Sequence, residues 1–304
     1  MPIRRALLAL LALLPLSPAH AEEQQLTVTP PGWSIALPAL LIKPEGDGPF
    51  PAIVLLHDCS GLGPRGSGAP RRWANELVPQ GYVVLIPDSF TPRGLPNGTC
   101  TAPVEYIGAG APFIRAMDAY GALALLRTLP FVDGARIGVM GGSHGGSTTL
   151  AALATLDAAD PLAGAKRNGF AAALALYPSC SFRLGGWSVT RDGAEPHRIV
   201  EYKGVYQPLA PLLILTGALD DWTPAEPCRL MVEASREAGH KVRIVIYPDA
   251  HHAFDNTSSL RYVAERNNIN VPGGKGATTG GNVRAWADAK QQVQAFFAKH
   301  LKAQ

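Results

Sequence analysis

The chain is short of charge and lacks clusters of it. Charged residues fill 17% of its 304 positions, as 27 Lys and Arg against 24 Asp and Glu. No basic run is present that would suit a nucleic-acid backbone, so the basic pI of 8.7 does not imply that partner. Cysteine is scarce as well: Cys59, Cys100, Cys180 and Cys228 are widely scattered, with no CxxC. That spacing argues against a zinc site. No apolar stretch reaches the roughly 20 residues that span a bilayer. There is no internal repeat, and no linker divides the chain.

The first residues have a distinct pattern. Arg4 and Arg5 precede an apolar segment, 6–16, then the small-x-small sequence Ala19-His20-Ala21 and the polar residues Glu22 to Gln25. This is the layout of a secretory signal peptide over residues 1–21, removed to leave a mature chain of 22–304. Without Arg4 and Arg5 the balance is 25 basic against 24 acidic, a net charge of +1. The expected location is periplasmic or secreted, with no membrane attachment once the signal is gone. An even cysteine count in an exported chain implies two disulfides, for which three pairings exist.

Short apolar runs then alternate with helical patterns. Residues 26–42 read as strands around a turn at Pro30-Pro31-Gly32. Runs at 51–57 (PAIVLLH) and 82–87 (YVVLIP) read as strands buried on both faces, and those at 136–140, 170–177, 211–216 and 242–247 as further strands. Helices are expected at 71–80, 112–129, 145–156, 225–238 and 282–301. Residues 89–110 read as a long loop, and 256–281, rich in Gly, Asn and Thr, as a second that is functional or mobile. The alternation predicts an α/β fold, a mostly parallel central sheet with helices on both faces.

Residues 141–145 read Gly-Gly-Ser-His-Gly, a G-x-S-x-G between a strand and a helix. In that context the motif is the nucleophile elbow of an α/β-hydrolase fold. The turn is tight enough that side chains at Gly141 or Gly145 would collide, and it lifts Ser143 above the sheet at a helix N-terminus. The competing reading is a serine that merely caps the helix. A serine hydroxyl needs an imidazole to take its proton, and the imidazole needs a carboxylate to orient it. In this fold the order is Ser, acid, His. The strand at 211–216 leads into Asp220, Asp221 and Trp222, and that at 242–247 into His251 and His252. Spacing alone leaves each pair open. His57 precedes Ser143 and breaks the order, so its loop suits an oxyanion donor instead, from Cys59 N–H, with His144 N–H as the second.

These residues resemble the dienelactone hydrolase family from about Trp33 to Leu301. The motifs are LLHDCSGL (55–62), YVVLIPDSF (82–90), RIGVMGGSHGG (136–146), Gly217 to Pro224 as GxxDxxxP, and YPDAHHAFD (247–255). The resemblance implies ester or lactone hydrolysis through Ser143, with Asp220 as the acid, His252 as the base and Cys59 as an oxyanion donor. It implies no metal or organic cofactor, and a small-molecule ester as partner. The enzymes that name the family carry cysteine where this chain has Ser143, and a carboxylate at the position of Asp58. Their substrate-binding arginines map near Arg93 and onto Asn256. Phe90, Tyr106, Trp187 and Trp222 also lie in loops that could line a pocket. On the same map the cysteines pair as Cys59–Cys100 and Cys180–Cys228, each joining loops that neighbouring strands bring together. Two other readings compete with the esterase: a catalytically silent binding protein of the same fold, and a peptidase on the same scaffold.

Overall fold

The computed structural model describes residues 21–103, 108, 111–155 and 162–302. Residues 1–20 of the expected signal peptide, and Tyr106, lie outside the described residues. Two strands, β1 (Glu22–Val28) and β2 (Leu37–Lys43), pair antiparallel and open an eight-stranded sheet. It continues through β3 (Phe50–Leu56), helix α1 (Ala69–Leu77), β4 (Val83–Pro87), α2 (Pro112–Thr128), β5 (Val132–Gly142), α3 (His144–Leu153), a short α4 (Ala163–Lys166) and β6 (Ala172–Leu176). A small antiparallel ribbon, β7 (Ser188–Arg191) and β8 (Ile199–Lys203), precedes β9 (Leu212–Gly217), α5 (Ala225–Glu237) and β10 (Val242–Tyr247). A second ribbon, β11 (Arg261–Asn267) and β12 (Lys275–Thr279), leads to the last helix, α6 (Val283–Leu301). The sheet order is β1-β2-β4-β3-β5-β6-β9-β10. From β4 to β10 every neighbouring pair is parallel.

Alternation along the strands sends side chains into two cores. Val54, Leu56, Val83 and Leu85 pack on one face with Tyr120, Leu123 and Leu126 of α2 and Leu150 of α3. Ile53, Leu55, Val84 and Ile86 pack on the other with Trp73 and Leu77 of α1 and Val293, Phe296 and Phe297 of α6. Both faces are covered by packed helices, which is why these strands read as unbroken apolar runs.

One expected loop is corrected. Residues 256–281, expected as one long loop that is functional or mobile, carry the β11–β12 ribbon. The β7–β8 ribbon is also absent from the sequence reading. Among the described residues no helix is long and apolar enough to cross a membrane.

Candidate active site

The sheet delivers three side chains to one edge. Strand β5 ends at Gly142, and α3 starts at His144. Ser143 between them has φ 54° and ψ −117°, a conformation that L-residues rarely hold. Close packing enforces it: a Cβ at Gly141 would lie 2.5 Å from the Gly145 carbonyl, and one at Gly145 would lie 2.2 Å from Leu56 O. Ser143 makes no side-chain capping bond to α3. Its hydroxyl instead donates to His252 Nε2 at 2.8 Å.

His252 lies in the loop after β10, and its Nδ1 is 2.8 Å from Asp220 Oδ2, in the loop after β9. A carboxylate only accepts, so Nδ1 carries the proton and Nε2 is free to accept from the serine. Asp220 Oδ1 is held by the Trp222 and Thr223 amides at 2.9 and 2.8 Å. Ser143, Asp220 and His252 are all buried, at 7%, 4% and 1% exposure, so their hydrogen bonds are shielded from competing water. Asp221 turns the other way and accepts from the Thr278 amide and hydroxyl at 2.8 and 2.7 Å, fastening the β11–β12 ribbon. His251 Nδ1 has no hydrogen-bond partner among the described residues.

Two further groups brace the imidazole. The Tyr177 ring meets His252 edge-on at 4.8 Å, and its hydroxyl donates to the buried Asp255 at 2.8 Å. Trp222 covers His252 with ring centroids 4.7 Å apart, and the Arg266 guanidinium lies 4.3 Å over the same indole. Beside Ser143 opens a cavity of about 130 Å³ whose lining includes Asp58, Cys59, Cys100, Trp222 and Asn256. Arg72, Arg261 and Arg266 also line it. Asp58, the one carboxylate there among the described residues, accepts from the Ser60 amide at 2.7 Å and from the hydroxyls of Ser60 and Ser67.

The disulfides in the structure are Cys59–Cys100 and Cys180–Cys228. The first forms part of the cavity wall. His57 is fully buried and structural: its Nδ1–H donates to Asp58 O at 2.8 Å, and its Nε2 accepts from the Ser89 amide at 3.1 Å. Burial, with Arg115 nearby, holds it well below the usual histidine range.

Arg93 is not brought to the cavity, which corrects its expected role in substrate binding. Its guanidinium makes a bidentate pair with Asp118 at 2.7 and 2.8 Å, and the pair is buried. A guanidinium so engaged has little left for a ligand. Phe90 and Trp187 are core residues rather than lining residues. Asn256 does line the cavity, but its amide closes a local turn with Ala253 O and the Ser258 amide. The sequence reading missed Arg72, Arg261, Arg266, Tyr177 and Thr223. Only Thr223 carried a signal, three residues after the acid.

The elbow, the order of the three side chains and the sheet define a hydrolase of the α/β-hydrolase fold. The sequence matches the dienelactone hydrolase family over residues 37–301, and the chain belongs to that family. It is 28% identical to a protein of Escherichia coli O157:H7 named as a carboxymethylenebutenolidase, over 222 residues that make up 72% of this chain and 73% of the other. A protein of the same name from Methylorubrum extorquens is 28% identical over 232 residues, 75% of this chain and 72% of that one. A solved structure named as a dienelactone hydrolase from Klebsiella pneumoniae matches with TM-score 0.64 at 19% identity, covering 91% of this chain and 99% of that one. The apo form of Thermogutta terrifontis esterase 2 matches with TM-score 0.61 at 19% identity, covering 97% and 100%. At such identities the structures report the shared fold.

Proposed function

We propose that the protein is a serine esterase that works through an acyl-enzyme. The observation that carries this reading is the unbroken hydrogen-bond chain from Ser143 Oγ through His252 to Asp220. Ser143 Oγ attacks the ester carbonyl while His252 Nε2 takes its proton. Asp220 holds the imidazole in the correct tautomer and stabilises its charged form. The amides of Cys59 and His144 receive the oxyanion. The alcohol leaves with the proton from His252. Water then attacks the acyl-serine by the same route, releases the acid and restores Ser143.

The cavity supports a narrower substrate class. About 130 Å³ suits a short acyl group, being well below the 300–1,000 Å³ of drug-sized ligand sites. Among the described residues three guanidiniums and one hydrogen-bonded carboxylate line it, which favours an ester or lactone carrying a negative charge. Arg261 and Arg266 make no ion pair among the described residues, so their charges are available to a ligand.

Export and a single domain over 22–304 belong to the same proposal. Two disulfides support an oxidising compartment, where such bonds persist. N-terminal sequencing of the exported protein is expected to begin at Glu22; a chain retaining Met1 would overturn the cleaved signal.

The test of the activity is turnover of short p-nitrophenyl esters and labelling by a fluorophosphonate, each compared with Ser143→Ala. Ser143→Ala is expected to lose labelling and to lose turnover by at least about 10⁴-fold. Wild-type protein that neither labels nor turns over would favour a silent binding protein. Cleavage of peptides but not esters would favour a peptidase.

A further inference from the structure

Arg115 is a fully buried arginine that forms no ion pair with a carboxylate among the described residues. It stands in the first turn of α2, and Asp118, three residues on, gives both carboxylate oxygens to Arg93. Arg115 instead spans two separate segments. Its Nη2 donates to His57 O at 2.8 Å, and its Nη1 lies 2.7 Å from His144 Nδ1. A guanidinium only donates, so His144 Nδ1 is bare and the imidazole is neutral. The Phe90 ring covers the guanidinium at 4.8 Å and meets His57 and His144 edge-on at 4.6 and 5.6 Å.

The two segments so joined are those expected to supply the oxyanion amides. His57 O belongs to the loop after β3, two residues before Cys59. His144 follows Ser143, and its own amide is the second donor in the esterase reading. The segments also touch directly, since a Cβ at Gly145 would lie 2.7 Å from His57 O. Glycine lets them approach, and Arg115 fastens both sides.

We propose that Arg115 is the positioning residue of the oxyanion hole, setting the separation of the Cys59 and His144 amides. The proposal rests on the Ser143 esterase reading. Two donors on different segments stabilise an oxyanion only if their spacing matches it. The bridge holds that spacing before substrate arrives, so no reorganisation is needed as charge develops. A burial-only role would cost fold stability and leave transition-state binding untouched.

The experiment compares wild type, Arg115→Met, Arg115→Lys, His144→Ala and the double variant Arg115→Met/His144→Ala. Three quantities are read: kcat and KM on a p-nitrophenyl ester, the Ki of a trifluoromethyl ketone that forms a tetrahedral adduct on serine, and the Ki of the product acid. Arg115→Met is expected to lower kcat about 100-fold, the scale of a 1 Å misplacement. KM and the acid's Ki should stay within about twofold, and the ketone's Ki should rise in parallel with the loss in kcat/KM. Arg115→Lys keeps a charge but not the two-armed fork, so it is expected to lose nearly as much. His144→Ala removes one arm and should lower kcat about tenfold, with the double variant no worse than Arg115→Met.

A folded Arg115→Met that keeps kcat and ketone affinity within about twofold of wild type overturns the proposal. Arg115→Lys at full kcat, or a loss confined to KM, does the same. If Arg115→Met does not fold, Arg115→Lys and His144→Ala decide on these same readouts. Wild type that is inert to both ester and ketone overturns the esterase reading and this proposal together. An active wild type with unaffected variants overturns the role of Arg115 alone.

Discussion

Trp222 lies against His252 with ring centroids 4.7 Å apart, two residues beyond the aspartate that the same histidine contacts. The indole Nε1 donates to Asn267 O at 2.7 Å, so the cover on the imidazole is anchored to β11. The loop after β9 thus supplies the carboxylate, the lid over the imidazole and the attachment of the ribbon.

Trp222→Phe keeps a ring over His252 and loses the bond to Asn267 O. It is expected to cost about 1 kcal/mol in denaturant unfolding and to leave kcat within a few-fold of wild type. Trp222→Ala removes ring and bond, exposes the imidazole, and should lower kcat by at least about tenfold. Equal kcat losses in the two variants would show that the ring contact does not matter.

Arg266 stacks on that indole at 4.3 Å and faces the cavity with its charge unpaired among the described residues. Arg266→Glu should lower kcat/KM for an anionic short-chain ester by about tenfold or more, and change that for a neutral ester of equal length far less. Raising ionic strength should compress the wild-type preference in the same direction. A selectivity ratio unmoved by both charge reversal and salt would remove the case for an anionic substrate.

The two disulfides close similar lengths of chain, with separations of 41 and 48 residues, so each should stabilise by a similar ~2–4 kcal/mol. Their effects on activity should differ. Cys180 and Cys228 lie fully buried, and changing both to alanine is expected to lower Tm with little loss of kcat. Cys59 and Cys100 line the cavity, and Cys100 O accepts from the Asn267 amide at 2.9 Å. Replacing that pair should lower both Tm and kcat. The check is melting and turnover side by side for the two double variants.

His57 and His144 are buried neutral, and burial, then the Arg115 charge, holds both well below the ordinary histidine value of 6.5. In the unfolded chain they take up protons near 6.5, while in the folded chain they resist until a much lower pH. The unfolded state therefore binds more protons in that window, and stability is lost as pH falls below about 6.5. The slope is up to about 1.4 kcal/mol per pH unit for each histidine. Denaturant unfolding at pH 7.5, 6.5 and 5.5 should show it, and His57→Gln should shallow the decline. An equally steep decline in His57→Gln would place the acid sensitivity elsewhere.

The legible parts of the fold were those whose chemistry is local. Strands β4 and β9 announce themselves as VVLIP and LLILTG because both faces of the sheet are covered. Gly141 and Gly145 mark the elbow because each would clash within a few residues or with the adjacent strand. The β11–β12 ribbon was hidden because neither of its faces is apolar. Strand β11 reads RYVAERN with no buried residue, and polar bonds such as Asn268 Nδ2 to Asp221 O at 3.0 Å and Asn270 Nδ2 to Trp222 O at 2.8 Å hold it in place. Arg93 was misread because its true partner, Asp118, is 25 residues away on another element. Arg115 was hidden by the usual rule that charge marks the solvated side of a helix. On α2 both Arg115 and Asp118 face inward.

Ser143 and His252 stand 109 residues apart in sequence, on loops that follow β5 and β10. Strands β6 and β9 lie between those two in the sheet, so the loops start three strand spacings apart, about 14 Å. Parallel neighbours of this kind form slowly, since long chain segments must be closed before any contact rewards them. β10 is the edge strand and the last of the eight in chain order. The histidine cannot meet the serine until β10 has docked. In a refolding experiment, far-UV ellipticity should therefore return ahead of ester turnover, and turnover should time the arrival of the final strand.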